Sequence, residues 1–149
     1  MITISQAALH DLEALAELFD EYRKFYRHAS DLSGARTFLS DRMMHQDSVI
    51  YIARSADGAA MGFVQLYPLL SSTRMKRVWL LNDLYVHPDF RGQQVSVGLI
   101  DHAKDLARRT GAAALLLETE QSNAIGNNLY RKTGFALDMD HNYYSWCVA

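Results

Sequence analysis

Residues 76–119 constrain the fold more tightly than any other stretch. KRVWLLNDLYV, residues 76–86, is an apolar, β-rich run ended by Pro88. In the following QVSVGLIDHAKDLARRTG, the residues Val97, Ile100, Ala103, Lys104 and Ala107 recur along one stripe and Gly111 closes the run. That spacing predicts a helix over 94–110. AAALLLET, residues 112–119, is apolar almost throughout, the pattern of a strand covered on both faces. Strand, helix and buried strand in that order form a right-handed β-α-β crossover, and its parallel pair needs helices on both faces.

The rest of the chain fits around this unit. MITIS reads as a short strand, and Leu12, Leu15, Phe19, Tyr22 and Tyr26 mark one face of an amphipathic helix. A second helix is expected from about Leu32 to Met44, with Phe38, Leu39 and Met43 inward. SVIYIARS and AMGFVQLYPLL flank the turn ADGA and read as a hairpin; NAIGNNLYRKTG reads as a short helix stopped by Gly134, and NYYSWCV as a last strand. The order β-α-α-β-β-β-α-β-α-β predicts an α/β (α+β) fold with a mixed central sheet of about six to seven strands. No linker, repeat or low-complexity stretch divides the 149 residues, so 1–149 are expected to form a single domain.

Composition removes several function classes. A formal charge of −2 leaves no electrostatic footprint for nucleic acid. No apolar run reaches the ~18 residues that span a membrane, and MITISQAALHDLE carries an early acid and no basic region, unlike a secretory leader. The single Cys147 cannot form an internal disulfide and suits a reducing cytoplasm. Six histidines without ligand spacing argue against a metal.

RGQQVSVG, residues 91–98, is the turn of the crossover. The unpaired N–H groups of the helix start, its dipole and Arg91 together favour an anion such as a pyrophosphate. From this feature alone an ordinary strand-to-helix connection with a solvated arginine is the better reading, since turns that combine glycine and arginine are common.

LNDLYVHPDFRGQQVSVGLI, followed about thirty residues later by NAIGNNLYRKTGF, resembles the GNAT acyltransferase superfamily. The matching residues are Val86, Pro88, Arg91, Gly92 and Leu99, then Asn123, Tyr130, Gly134 and Phe135; Gly126 stands where the family usually has alanine. The resemblance implies acetyl-CoA as cofactor, with its pyrophosphate on the backbone N–H groups of Gly92, Gln94, Val95, Ser96 and Val97 beside Arg91. It also implies a pantetheine arm running along Leu84, Tyr85 and Val86 as a pseudo-strand, with Asn123 and Gly126 contributing from the next crossover. Gln94 and Ser96 occupy positions where small residues are usual. If Gln94 needs a positive φ, the strain is on the order of 1–2 kcal/mol, about a tenfold weakening of cofactor binding; a right-handed helical backbone there carries no strain.

For the chemistry, the resemblance makes Tyr130 the general acid. Asp83 or Glu118 is the candidate base, with Glu120 a weaker one. Asn82 cannot take a proton, and strict alternation puts Asn82 and Asp83 on opposite faces unless a bulge intervenes. A primary ammonium with pKa near ~10.4 must lose a proton before it can attack, at roughly 4–5 kcal/mol at pH 7. Tyr22, Tyr26 and Asn82 are the candidate acceptor contacts, since aromatic faces can hold an ammonium. The pattern is closest to small-molecule diamine and polyamine acetyltransferases. A protein or peptide N-acetyltransferase and a non-catalytic coenzyme A-binding module are the alternatives. A homodimer through the edge strand NYYSWCV is expected.

Overall fold

Gly58 sits at φ 89 in the turn that launches the central hairpin, where the amide of Ser55 donates to Ala59 O and that of Gly58 to Ser55 O, both at 2.9 Å. The computed structural model describes residues 1–149, which separate into two compact units, Met1–Glu118 and Thr119–Ala149. In the first, β1 (Thr3–Gln6) is followed by α1 (Leu12–Phe25), α2 (Leu32–His45), β2 (Val49–Arg54), β3 (Ala60–Ser71), β4 (Lys76–Val86), α3 (Val95–Arg109) and β5 (Leu115–Leu116). The strands form one sheet in the order β1-β2-β3-β4-β5, antiparallel from β1 to β4 and parallel between β4 and β5. Pro68 is tolerated inside β3 because it lies beyond the stretch that β2 pairs.

Helices cover both faces of this sheet. On one, Leu15, Ala16 and Phe19 of α1 and Ala35 and Leu39 of α2 pack against Ile50, Ile52, Phe63 and Tyr85. Each large side chain buried there is worth about 1.5–3 kcal/mol. On the other face lies α3, where Arg109 Nη2 donates to the Tyr51 hydroxyl at 3.0 Å and Trp79 Nε1 donates to Thr110 Oγ1 at 2.9 Å. The buried stripe of α3 is Val95, Leu99, Ile100, Ala103 and Leu106, so the expected stripe is rotated: Ile100 and Ala103 hold, while Val97, Lys104 and Ala107 flank it.

The sheet has five strands, not six to seven. β5 shrinks from the expected 112–119 to two residues, since its ladder with β4 ends at Leu80↔Leu116. Residues 136–149 form no strand. NYYSWCV is apolar enough for one, but a strand needs a ladder partner. Instead, Asp138 organises a turn there, accepting from the amides of Asp140 (2.8 Å) and His141 (3.1 Å) and from the Tyr143 hydroxyl (3.0 Å). The second unit otherwise holds α4 (Ala124–Lys132), which Gly134 stops as expected. No helix is long and apolar enough to cross a membrane.

Asp11, 3% exposed, ties the start of α1 to the hairpin: it accepts from the Ala8 amide at 3.0 Å and from Arg54 Nη2 at 2.7 Å. Burial alone would raise its pKa, but the Ala8 amide, the Arg54 hydrogen bond and the charges of His10 and Arg54 outweigh it and hold the carboxyl below its ordinary value. A depressed carboxyl contributes stability above its unfolded pKa and loses it as the pH falls through the folded one. Asp11→Asn is therefore expected to cost about 2 kcal/mol at pH 7. Calorimetric melting should show the gap to wild type closing as the pH drops below about 4.

Candidate active site

One extra residue in β4 organises the site. The β3–β4 register runs Gln65↔Asp83 and then Leu66↔Leu81, leaving Asn82 unpaired as a β-bulge. Side-chain direction changes phase there. Before the bulge, Trp79 points to the α3 face, where it meets Thr110; after it, Tyr85 points to the α1 face, where it meets Tyr22 at 6.1 Å. Asp83, two residues before Tyr85, shares the α1 face. The bulge also brings the carboxamide of Asn82 onto Asp83, donating to both oxygens at 3.2 and 3.1 Å. The two residues that strict alternation would separate are thus neighbours.

Asp83 is 7% exposed, and the protein supplies it with neutral donors only: Gln65 Nε2 at 2.8 Å and Asn82 Nδ2. No lysine or arginine of Met1–Glu118 forms an ion pair with it. Buried carboxylates are ordinarily paired with a cation. Tyr67, one pleat further along β3, has its pKa pushed up to about 12, chiefly by burial and then by the charge of Asp83, so its hydroxyl stays protonated. Glu118 is exposed and joins none of these hydrogen bonds.

Tyr22 on α1 and Tyr26, the residue that caps its C-terminal end, are half-buried and meet edge to face at 5.2 Å. Tyr22 also packs against Phe63 and Phe19, so it is part of an aromatic wall on the sheet face that carries Asp83. Phe63 faces Tyr85 in the ladder directly beside the Gln65–Asp83 pair.

The bulge has a second effect on the backbone. The amide of Trp79 and the carbonyl of Arg77 point toward β5, bonding Ala114 O and the Ala113 amide. At the other end of β4 the His87 amide bonds Met61 O on β3, so the Val86 carbonyl points the opposite way. By the two-residue period, Leu84 and Val86 present their backbone groups to the side that β5 leaves unpaired beyond Leu80. Arg91 Nε donates to the Val86 carbonyl at 3.1 Å and its guanidinium lies 5.9 Å from the Tyr85 ring.

Beyond β4 the chain makes a short 3₁₀ turn (Pro88–Phe90), and Gly92 follows at φ 77, a conformation that other residues adopt only with strain. Gln94 precedes α3 at φ 65 and ψ 19, the left-handed case of the two anticipated, and its side chain caps nothing. Val95, Ser96 and Val97 are the first residues of α3, and their amides have no acceptor in the chain. Ser96 is helical, so no glycine is needed there. Three unpaired donors at a helix N-terminus beside an exposed arginine suit a pyrophosphate, so this loop fits the diphosphate of coenzyme A.

In the second unit, Asn123 caps α4. Its Oδ1 accepts from the Gly126 amide at 3.1 Å and its Nδ2 donates to Thr119 Oγ1 at 3.0 Å. A Cβ on Gly126 would come within 2.4 Å of Asn123 Nδ2, so the glycine leaves room for this cap. Tyr130 is half-buried on α4 and packs edge to face on Phe135 at 5.8 Å. The sequence raised the bulge only as the exception to strict alternation, and it did not point to Gln65 or Tyr67; a glutamine and a tyrosine within a hydrophobic run carry no signal until the partner strand is known.

Comparison with known proteins agrees with the geometry. Residues 13–135 match the model of the acetyltransferase (GNAT) family. The uncharacterized N-acetyltransferase YhfO of Bacillus subtilis (strain 168) is 44% identical over 143 residues, 96% of this chain and 95% of that protein. The streptothricin acetyltransferase of Streptomyces lavendulae is 36% identical over 90 residues, 60% of this chain and 46% of that protein. A crystal structure of a probable acetyltransferase superposes with TM-score 0.94 at 39% identity, covering 99% of this chain and 98% of its own.

The left-handed backbone at Gln94 gives a direct test of the loop. Replacing Gln94 by glycine removes strain of about 1 kcal/mol or more, so Gln94→Gly should melt about 2–4 °C above wild type. An unchanged or lower melting temperature in differential scanning fluorimetry would contradict the strained loop.

Proposed function

Because the chain belongs to the acetyltransferase (GNAT) family and is an acetyl-CoA-dependent N-acetyltransferase, we propose that its acceptor is the primary amine of a small cationic molecule, of the diamine, polyamine or amino-acid-like kind. The observation that carries this reading is the buried Asp83 carboxylate, which has no cation of its own unit beside it. An ammonium is the partner such a group lacks. Tyr22 and Tyr26, on the same sheet face, add aromatic surface suited to an organic cation. The streptothricin acetyltransferase, named for a small molecule, lends support from outside the chain.

In this reading Arg91, Gly92, Gln94, Val95, Ser96 and Val97 hold the pyrophosphate, and Leu84, Tyr85 and Val86 lie along the pantetheine arm, once Arg91 releases the Val86 carbonyl. Asn123 and Gly126 act through the start of α4. Acetyl-CoA supplies the activated acetyl thioester. Asp83 takes a proton from the bound ammonium, Asn82 steadies the carboxylate, and the Tyr130 hydroxyl donates the proton that the departing thiolate needs. Asp83 is preferred to Glu118 as base because it is buried and hydrogen-bonded while Glu118 is solvated. The family match spans 13–135, across both compact units, which supports a single domain over 1–149. The lone exposed Cys147 fits a cytoplasmic setting, and a homodimer would cover the exposed Tyr143, Tyr144 and Trp146.

Thiol release from acetyl-CoA should be followed with ethylamine, 1,3-diaminopropane, spermidine and lysine, and with N-terminal peptides in parallel. Turnover of one or more of the small amines is expected, with Asp83→Asn lowering kcat/KM by about 10²-fold or more and Tyr130→Phe lowering kcat. Turnover of peptides alone, or full activity in Asp83→Asn, would refute the proposal.

A further inference from the structure

Gln65 is fully buried at the centre of β3, among residues that are otherwise apolar. A buried carboxamide is costly unless every polar atom is bonded, and here both ends are. Its Oε1 accepts from the Ser48 hydroxyl at 2.9 Å, and its Nε2 donates to Asp83 Oδ2 at 2.8 Å. A methionine would fill the same space with no such requirement.

The orientation of the amide follows from its two partners. Turned over, Gln65 would set its carbonyl oxygen against the Asp83 carboxylate, two acceptors facing each other. Ser48, one residue before β2, thus fixes the far end, and Gln65 passes that constraint across the ladder to the residue paired with it. The other donor, Asn82, is exposed and its contacts are longer, so Gln65 is the firmer support.

We propose that Gln65, tethered by Ser48, is a positioning residue for proton transfer: it orients the Asp83 carboxylate through Oδ2 while placing no positive charge beside it that would compete with an incoming ammonium. An arginine or lysine at position 65 would orient the carboxylate equally well but would neutralise its attraction for the acceptor. The neutral carboxamide does the first without the second. In the step it supports, one N–H bond of the ammonium breaks, an O–H bond forms on Asp83, and the nitrogen lone pair is released for attack on the thioester; the proton passes to solvent after product leaves. This inference rests on Asp83 acting as the base.

A double-mutant cycle separates the two claims. Gln65→Met, Ser48→Ala and Asp83→Asn, with the doubles Gln65→Met/Asp83→Asn and Ser48→Ala/Asp83→Asn, are assayed by thiol release with the four amines named above, and melting temperatures confirm folding. Gln65→Met should lower kcat/KM about tenfold, Ser48→Ala about threefold, with the loss in kcat rather than KM. In the Asp83→Asn background both should cost less than about twofold, because there is no longer a carboxylate to position. Losses that persist undiminished in Asp83→Asn would overturn the positioning role and leave the base reading intact. Full activity in Asp83→Asn, or no turnover of any of the amines by wild type, would overturn the base reading and this inference with it. Ser48→Ala removes only a tether at the edge of the core, so it reports even if Gln65→Met folds poorly.

Discussion

The bulge at Asn82 is the constraint on which the rest of the arrangement depends. Without it, strict alternation along β4 would turn Asp83 toward α3 and away from the aromatic face of α1. The extra residue reverses the phase for every residue that follows. Three consequences come from that one insertion: Asp83 meets Gln65 across the ladder, Asn82 reaches the same carboxylate, and Leu84 and Val86 direct their backbone groups toward the side that β5 leaves unpaired. The early end of the β4–β5 ladder lies two residues before the bulge. Polar chemistry and an unpaired backbone edge therefore occur together on one strand.

A second device works by dipoles rather than side chains. The start of α3 offers unpaired amides, and Arg91, bonded to the last carbonyl of β4, sits at the same turn. The backbone geometry of Gln94 carries strain, yet the loop keeps its shape, because the burial of Val95, Leu99 and Ile100 holds the first turns of the helix in place. Local strain of this size persists only where surrounding packing over-determines the conformation. Loop and bulge thus share a logic: each is a local departure from regular structure, stabilised by the regular elements on either side.

This division explains what could be read from the sequence. The hairpin, the bounds of β4 and the existence of α1, α2, α3 and α4 were legible because each rests on local signals: the Gly58 turn, Pro88, the three- and four-residue apolar spacing, and the glycines at 111 and 134. The family motif pointed to the turn at 91–98 for a similar reason, since its residues are contiguous. The side of Asp83 was not legible, because a bulge is a property of two strands and only one of them can be read at a time. Gln65 was invisible on the same grounds. The misread strand at 142–148 shows the converse: Tyr143, Tyr144 and Trp146 carry β propensity, but propensity without a ladder partner builds no strand.

The buried carboxylate is the point at which stability and chemistry pull apart. A core designed only to be stable would place a leucine at 83 and another at 65, because a charge without a counter-ion is costly to bury. Two carboxamides offset part of that cost with hydrogen bonds while leaving the charge itself uncompensated. Asp11 illustrates the alternative within the same unit: it is equally buried, but Arg54 neutralises it, and it serves to fasten the hairpin. On the proposed function, Asp11 with its arginine is a structural anion, and Asp83 with its amides is the one kept for a cationic ligand.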